Sequence, residues 1–483
     1  MVEEEASMKK RQRSILSLVV VLAVLVGAYF YVSNRPKKQA EDNKTIEICK
    51  VPKEDIVKMV LESRDGTTLT FEKKDDKWTV DYPHPVVLDQ TSVDDIAYSF
   101  ASLYAERIID ENPKDLSVYG LDKPAVVARA FLKDGTQKVL YLGNKTPSGN
   151  TYYLMAEGDP KVYSVWMNHG EHFSYKLSDV REKDLTEIKT QELTYLKIAK
   201  KGKPTIEIEM NDEQSKDEAQ FGLSLWRMTQ PYNEPMGVSS DKFQKVLDGI
   251  SSLTSNAIKD FVEDNPQDLS TYGLDDPVAE LIVKDKENTL HLYFGKDTDD
   301  GKNVYFKTAD VNSVYTMEKS KTELLDTKPF DIVDKFAYIV NIDNVDKIII
   351  EGRGKTHVLT LTRQTKKAEK EGEEDEVITT YMVDGKEVEE KPFKKFYQSL
   401  IGILVDAEID REMAEENPEV KTTFFLNKGS RREVHVNYVP YDNDFYAVFR
   451  SGKAEFVVSR SQVNKMLDDL EALIRGDLVK EEE

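Results

Sequence analysis

Three short stretches of this chain carry residue types and spacings that come close to known chemistry. His169-Gly170-Glu171-His172 sets two imidazoles beside a carboxylate. A hydrolytic zinc site needs two histidines four apart on one helical face and a third ligand, whereas these are three apart around a glycine. KDTDDGKN, Lys296 to Asn303, gathers Asp297, Asp299 and Asp300 as hard oxygen donors of the kind a calcium ion takes. Its glycine, Gly301, comes one place early, and Thr308 stands where a bidentate glutamate is required. EGRGKT, Glu351 to Thr356, ends like a phosphate-binding loop, but Ile349 occupies the place of the first glycine. It also lies between the strand-like runs KIIIEG and THVLTLT, where no helix N-terminus faces an anion, so a β-hairpin turn is expected.

The other histidines, His84, His291, His357 and His435, are scattered. There is no Gly-x-Ser-x-Gly elbow, and the single cysteine, Cys49, expected near a stalk, excludes internal disulfides and Cys-based zinc sites. Spacing alone assigns no glycosidase-type carboxylate pair among the 89 acidic side chains. No catalytic, cofactor or metal site is therefore expected. Lys and Arg number 67, giving a net charge of -22 that repels nucleic acid.

The strongest local pattern is a repeated turn. DENPKDLSVYGLDKP at 110–124 returns as DNPQDLSTYGLDDP at 264–277. The repetition continues beyond the motif: Gly143 matches Gly295, Tyr153 matches Tyr305, and Val162-Tyr163 matches Val314-Tyr315. Asn112-Pro113 and Asn265-Pro266 head the two copies. Gly120 and Gly273 can take a left-handed conformation, and Pro124 and Pro277 set an extended lead into the next strand. Tyr119 and Tyr272 are expected to pack on a helix. Glu416-Asn417-Pro418 starts an eroded third copy without the YGLD turn.

The elements that must hold these turns read as short antiparallel strands with apolar residues at period two, among them IVKMVLES, TTLTFEK and KWTVD before a helix, then AVVARAFL, QKVLYL, TYYLMA and KVYSVW after it. Between the two strand groups Val93, Ile96, Ala97, Phe100 and Leu103 or Tyr104 recur at helical spacing within TSVDDIAYSFASLYAERI, behind a Thr-Ser cap. SSDKFQKVLDGISSL and KPFKKFYQSLIGIL are the corresponding helices of copies two and three. The fold class expected is α+β: three tandem modules of antiparallel strands with one amphipathic helix each, preceded by one transmembrane helix.

That transmembrane helix is Ser14 to Val32, nineteen residues without a charge, about the length that spans a 30 Å bilayer core. Lys9, Lys10, Arg11 and Arg13 precede it, so the N-terminus is expected to stay cytoplasmic and the rest of the chain to lie outside. Cleavage after Ala28 is the competing reading, opposed by the bulky Tyr29-Phe30-Tyr31-Val32 that follows. The expected organisation is a basic cytoplasmic tail (1–13), the transmembrane helix (14–32), a linker (33–50), module 1 (51–190), module 2 (191–340), a divergent module 3 (341–476) and an acidic tail (477–483).

With its tandem NPxDLSxYGLDxP modules, the sequence resembles a bacterial membrane-anchored domain family of unknown function, found beside gliding-motility-type ABC transporters. The resemblance covers residues 45–340 as two full copies and the third more weakly. It implies a single-pass extracytoplasmic protein acting as a noncatalytic accessory or substrate-handling component of an ABC transport system. Membrane-embedded transporter subunits or other envelope proteins would be its partners, with no cofactor and no catalytic residues to carry over. The alternative is a cell-surface hydrolase or a cell-wall glycan-binding protein.

Overall fold

A computed structural model describes residues 46–211, 224–367, 376–409 and 411–477. Ser14 to Val32, the basic tail before it and most of the acidic tail lie outside the described residues, as do 212–223 and 368–375. Among the described residues no helix is long and apolar enough to cross a membrane.

The chain is mixed α+β and dominated by antiparallel sheets. The described residues form four sheets and not three one-sheet modules. Three are large, with eight, nine and nine strands, and a two-stranded sheet pairs Ile46–Lys50 with Ser102–Ala105. The expected linker therefore ends in a strand. Cys49, expected beside a stalk, is buried within that strand, and its burial pushes the thiol up to about 11.

One path generates each large sheet. In the first, Ile56–Ser63, Thr68–Lys74 and Lys77–Val80 build three antiparallel strands outward from the sheet centre. The helix Gln90–Ala101 follows, and the chain then adds Arg107–Asp110 at the far edge. Next it returns to the centre, pairs Val126–Leu132 with Ile56–Ser63, and runs through Gln137–Lys145, Thr151–Ala156 and Val162–Trp166 back to that edge. The second sheet repeats this order around Tyr195–Lys200 and Ala279–Lys284, with Asp260–Asp264 at the far edge. The third does so around Val345–Gly352 and Val420–Leu426, with Ala407–Glu408 there. The signature segment is the return from far edge to centre.

Helix spacing explains the packing. Glu390–Ile401 buries Phe393, Phe396, Tyr397 and Leu400, and Ser240–Thr254 buries Phe243, Val246, Leu247, Ile250 and Leu253, in each case one stripe of a 3.6-residue period. The first helix is shorter than its apolar pattern. It is capped by Asp89, which accepts from the Thr91 N–H, and not by the Thr-Ser pair; it stops at Ala101 because the following residues alternate and pair as strands Ser102–Ala105 and Arg107–Asp110. A helix absent from the expectation, Arg460–Arg475, closes the third sheet by burying Val463, Met466, Leu467, Leu470 and Leu473.

The chain divides into two compact units, Met1–Glu182 and Lys183–Glu483. The first has its own core, around Phe71, Phe100 and Phe173. In the second, both nine-stranded sheets contribute to one continuous core, in which Val340 and Val345 lie on either side of the expected boundary at 340/341. Because that core is shared, Phe243→Ala and Phe393→Ala, on the helices of different sheets, should lower the same unfolding transition. Each should cost about 3–5 kcal/mol. Urea melts in which the two substitutions move two separate transitions would show that the sheets are independent.

Candidate functional site

The signature turns are built from short side chains that bond to their own backbone. Asp115 accepts from the Ser117 N–H (2.9 Å) and hydroxyl (2.6 Å), which starts the 3-10 turn Leu116–Tyr119. Gly120 ends it at φ 67°, ψ 27°. Asp268 receives the Ser270 N–H at 2.8 Å, and Gly273 adopts the same φ 67°, ψ 27°. Leu121 and Leu274 are then buried, and Pro124 and Pro277 precede the central strands. Ahead of the turns, Asn112 donates its N–H to Asp110 (3.0 Å), and Asn265 sits at φ 53°, as Asn417 does at 52° in the third copy. Pro113 is half-buried and Pro266 buried.

Tyr119 and Tyr272 pack on a strand and not on a helix. Each ring stands edge-on against the tyrosine that repeats with it, Tyr153 or Tyr305, with centroids 5.1 Å apart. The Tyr119 hydroxyl donates to Asp110 (3.0 Å) and the Tyr272 hydroxyl to Glu263 (2.6 Å). These bonds to carboxylates are the main reason both phenols are held above their usual range, Tyr272 at about 12. The repeated glycines have the same origin. A Cβ on Gly143 would overlap the Tyr119 carbonyl oxygen, and one on Gly295 would overlap that of Tyr272.

The two histidines of the 169–172 stretch meet on one hydroxyl. His169 Nδ1 lies 3.0 Å and His172 Nδ1 2.9 Å from Ser99 Oγ, which joins the helix Met167–Phe173 to Gln90–Ala101. A serine hydroxyl has one proton to give, so at least one of the two rings must present an Nδ1–H to it. Ser99 is 0 % exposed, out of reach of any substrate as a nucleophile. Burial, and then the neighbouring His172, hold His169 below its usual 6.5.

The other stretches singled out by spacing are also taken up structurally. Asp297 is ion-paired with Lys319, and Thr298 donates to Asp300 (2.6 Å) in a turn closed at Gly301. In EGRGKT, Arg353 and Gly354 both have positive φ (51° and 74°) and join two paired strands, which is the hairpin turn expected. Arg353 donates to Asp468 (2.6 Å) on the last helix. Among the described residues no group of three His, Cys, Asp or Glu side chains is placed to hold a metal ion.

One concave site within the second unit combines polar groups that spacing does not bring together. A cavity of about 50 Å³ is lined by Glu234, Asp334, Tyr338, Arg431 and Arg450 among apolar Met236, Phe336 and Val434. Glu234 arrives on the loop after Trp226–Gln230, Tyr338 on the segment leading into the third sheet, and Arg450 at the end of Phe445–Arg450. Arg431 donates to Glu234 (2.9 Å) and to the Ser451 hydroxyl; Asp334 accepts from the Ser224 hydroxyl (2.8 Å). Next to the cavity, the Asn233 N–H donates to Glu455 (2.9 Å) and Tyr232 to Glu408 (2.8 Å). Among the described residues Arg450 Nη2 and Tyr338 Oη are buried and meet no hydrogen-bond partner. The only sequence signal for this site is Arg450 itself, a charge that closes the apolar run Phe445 to Phe449.

A family model described as a domain of unknown function, DUF4340, matches residues 78–257 and again residues 226–419. The matches start at Trp78 and Trp226, each on a strand shortly before a helix, and each runs through the helix and the return segment into the following sheet. No curated protein and no solved structure matches the chain.

Two outcomes follow from this geometry. Gly143→Ala and Gly295→Ala should each cost about 1–3 kcal/mol, because the added methyl meets backbone that cannot yield without moving the return segment. An unchanged melting temperature would show that the crossing is not tight. His169, with its folded pKa below the unfolded one, contributes stability that is present above pH 6.5 and lost as pH falls through the lower folded value. Urea midpoints followed from neutral pH to about pH 5 should therefore fall less steeply in His169→Phe than in the wild type. Equal slopes would remove His169 as the cause.

Proposed function

Because the chain belongs to the DUF4340 family of domains of unknown function, matched over most of its length, we propose that it works by binding and not by catalysis. In this reading it is an extracytoplasmic accessory or substrate-handling component of an ABC transport system. Ser14 to Val32 anchors it with the N-terminus in the cytoplasm, and the part of the chain that follows lies outside. Its partners are membrane-embedded transporter subunits or other envelope proteins.

One observation carries the noncatalytic part. The groups whose types could have done chemistry are each engaged in holding a turn or joining elements: Tyr119 and Tyr272 on carboxylates, His169 and His172 on a fully buried serine, Asp297 on a lysine. The transport part is supported by the resemblance of the repeated turn, and the acidic surface disfavours adhesion to anionic lipid or wall polymers.

Full-length protein extracted in mild detergent should bring down an ABC permease, and deletion of residues 14–32 should weaken that recovery. Recovery of the protein alone after crosslinking, together with turnover of a glycan or peptide by residues 46–477, would replace this reading with a surface hydrolase.

A further inference from the structure

The first two copies are each closed at the near edge by a short strand that the third lacks among the described residues. In the first, the Asp89 N–H donates to the Val180 carbonyl (2.9 Å) and the Glu182 N–H to the Val87 carbonyl (3.0 Å), which bridges Leu88 antiparallel to Arg181. In the second, the Ser239 N–H donates to the Ile332 carbonyl (2.9 Å) and the Asp334 N–H to the Gly237 carbonyl (2.8 Å), and Val238 is bridged to Val333. Leu88 and Val238 each directly precede the residue that caps the helix, and both are buried. Val388 holds that place before Glu390–Ile401. It is half-buried, and among the described residues no bridge reaches it from outside the sheet. The Asp384-Gly385 hairpin fixes which groups are open there. Val383 and Lys386 flank a two-residue loop and exchange the first pair of ladder bonds, so Glu387, one place on, turns its N–H and C=O away from Met382.

We propose that residues 478–481, which lie outside the described residues, dock on this edge as the closing strand of the third copy. Asp179-Val180-Arg181 and Asp331-Ile332-Val333 stand 152 apart, the offset that relates Tyr153 to Tyr305, and Asp477-Leu478-Val479 repeats their pattern. Aligned on that repeat, Val479 lies opposite Val388, the Glu389 N–H donates to the Leu478 carbonyl and the Lys480 N–H to the Glu387 carbonyl. The last helix brings the segment to the correct end of the sheet. Gln462 bonds to Leu404 (2.9 and 3.0 Å) and the Ser399 hydroxyl to Asp469 (2.6 Å), so Arg460–Arg475 runs antiparallel to Glu390–Ile401 and finishes towards its start. Helix rise from Asp469 to Arg475 is about 9 Å, against about 15 Å from Ser399 back to Glu389, and about two further residues span the difference. Where the third segment departs from the other two, its charges suit this edge. Lys480 takes the place of Glu182 and Asp334 and falls opposite Glu387, while Glu481 falls opposite Lys386. Docking buries Val388 and covers N–H and C=O groups that would otherwise be open to strands of other chains. The inference goes beyond the transport reading and does not depend on it.

The test is a register-specific disulfide in full-length protein in detergent, with the buried Cys49 left in place. Flanked by the two bonds above, positions 388 and 479 form a non-hydrogen-bonded pair, the closer kind in an antiparallel ladder, with Cα atoms about 4.5 Å apart and within disulfide reach. Mild oxidation of Val388→Cys/Val479→Cys should give a monomer carrying the 388–479 link, identified by mass spectrometry after proteolysis. Val388→Cys/Leu478→Cys, one place out of register with its side chain on the other face, should form little. Without any cysteine substitution, deletion of residues 478–483 should speed exchange of the Glu389 amide hydrogen about fivefold, as loss of one hydrogen bond implies. No link in either register, equal linkage in both, or linkage only as a covalent dimer would overturn the proposal, the last in favour of a strand from a second copy. A Glu389 amide that exchanges equally with and without residues 478–483 would overturn it even if the cysteine variants failed to fold; slow exchange in both would assign the edge to a strand supplied by a partner.

Discussion

The architecture depends on a close backbone crossing. In each large sheet the chain leaves the near edge, after three strands in the first sheet and four in the other two, runs through a helix and lands at the far edge, so it must return to the centre before the remaining strands can pair. In the first two sheets that return brings the Tyr119 or Tyr272 carbonyl oxygen so near a strand that only glycine, Gly143 or Gly295, fits beneath it. Everything else in the signature keeps the crossing segment there. The Asp115 and Asp268 caps tighten the turn, Gly120 and Gly273 reverse it through a left-handed residue, Leu121 and Leu274 pin it in the core, and the tyrosines tie it to the edge strand through Asp110 and Glu263. The third sheet makes the same return over fewer residues, from Glu408 to Val420, and lacks the YGLD turn.

The contrast between this crossing and the 50 Å³ cavity bears on function. At the crossing Asp115, Asp268, Tyr119 and Tyr272 each have a hydrogen-bond partner, and satisfied local networks of this kind serve to specify one conformation. At the cavity the groups converge from elements far apart in the chain, and two atoms, Arg450 Nη2 and Tyr338 Oη, meet no hydrogen-bond partner among the described residues.

The join between the two nine-stranded sheets is mixed in character. Beneath it the cores merge, with Tyr232 and Phe330 both against Phe456, at centroid distances of 4.9 and 6.0 Å. At its rim the loop after Trp226–Gln230 uses Tyr232, Asn233 and Glu234 to reach Glu408, Glu455 and Arg431. The partly exposed Arg431–Glu234 ion pair there contributes little to stability by itself, while the buried aromatic contacts supply most of the attraction.

What the sequence by itself determined is local. The period-two and 3.6-residue patterns marked the strands and the three helices before each far-edge strand, and the 152-residue offset paired Gly143 with Gly295 and Tyr153 with Tyr305 before any contact was visible. These features were legible because each rests on neighbours in sequence or on an internal copy. The limits appeared where distant partners decide. Leu103 continues the helical stripe of the first helix, yet it lies in a strand because the pairing of Ile46–Lys50 with Ser102–Ala105 outweighs propensity. Tyr119 chose Tyr153 over a helix because the return path places that strand beneath it. His169 and His172, too poorly spaced for a metal, found Ser99 seventy and more residues away. Only the tertiary structure could set Glu234, Tyr338, Arg431 and Arg450 around one cavity, because sequence periodicity reports which face a residue lies on and not which distant element that face will meet.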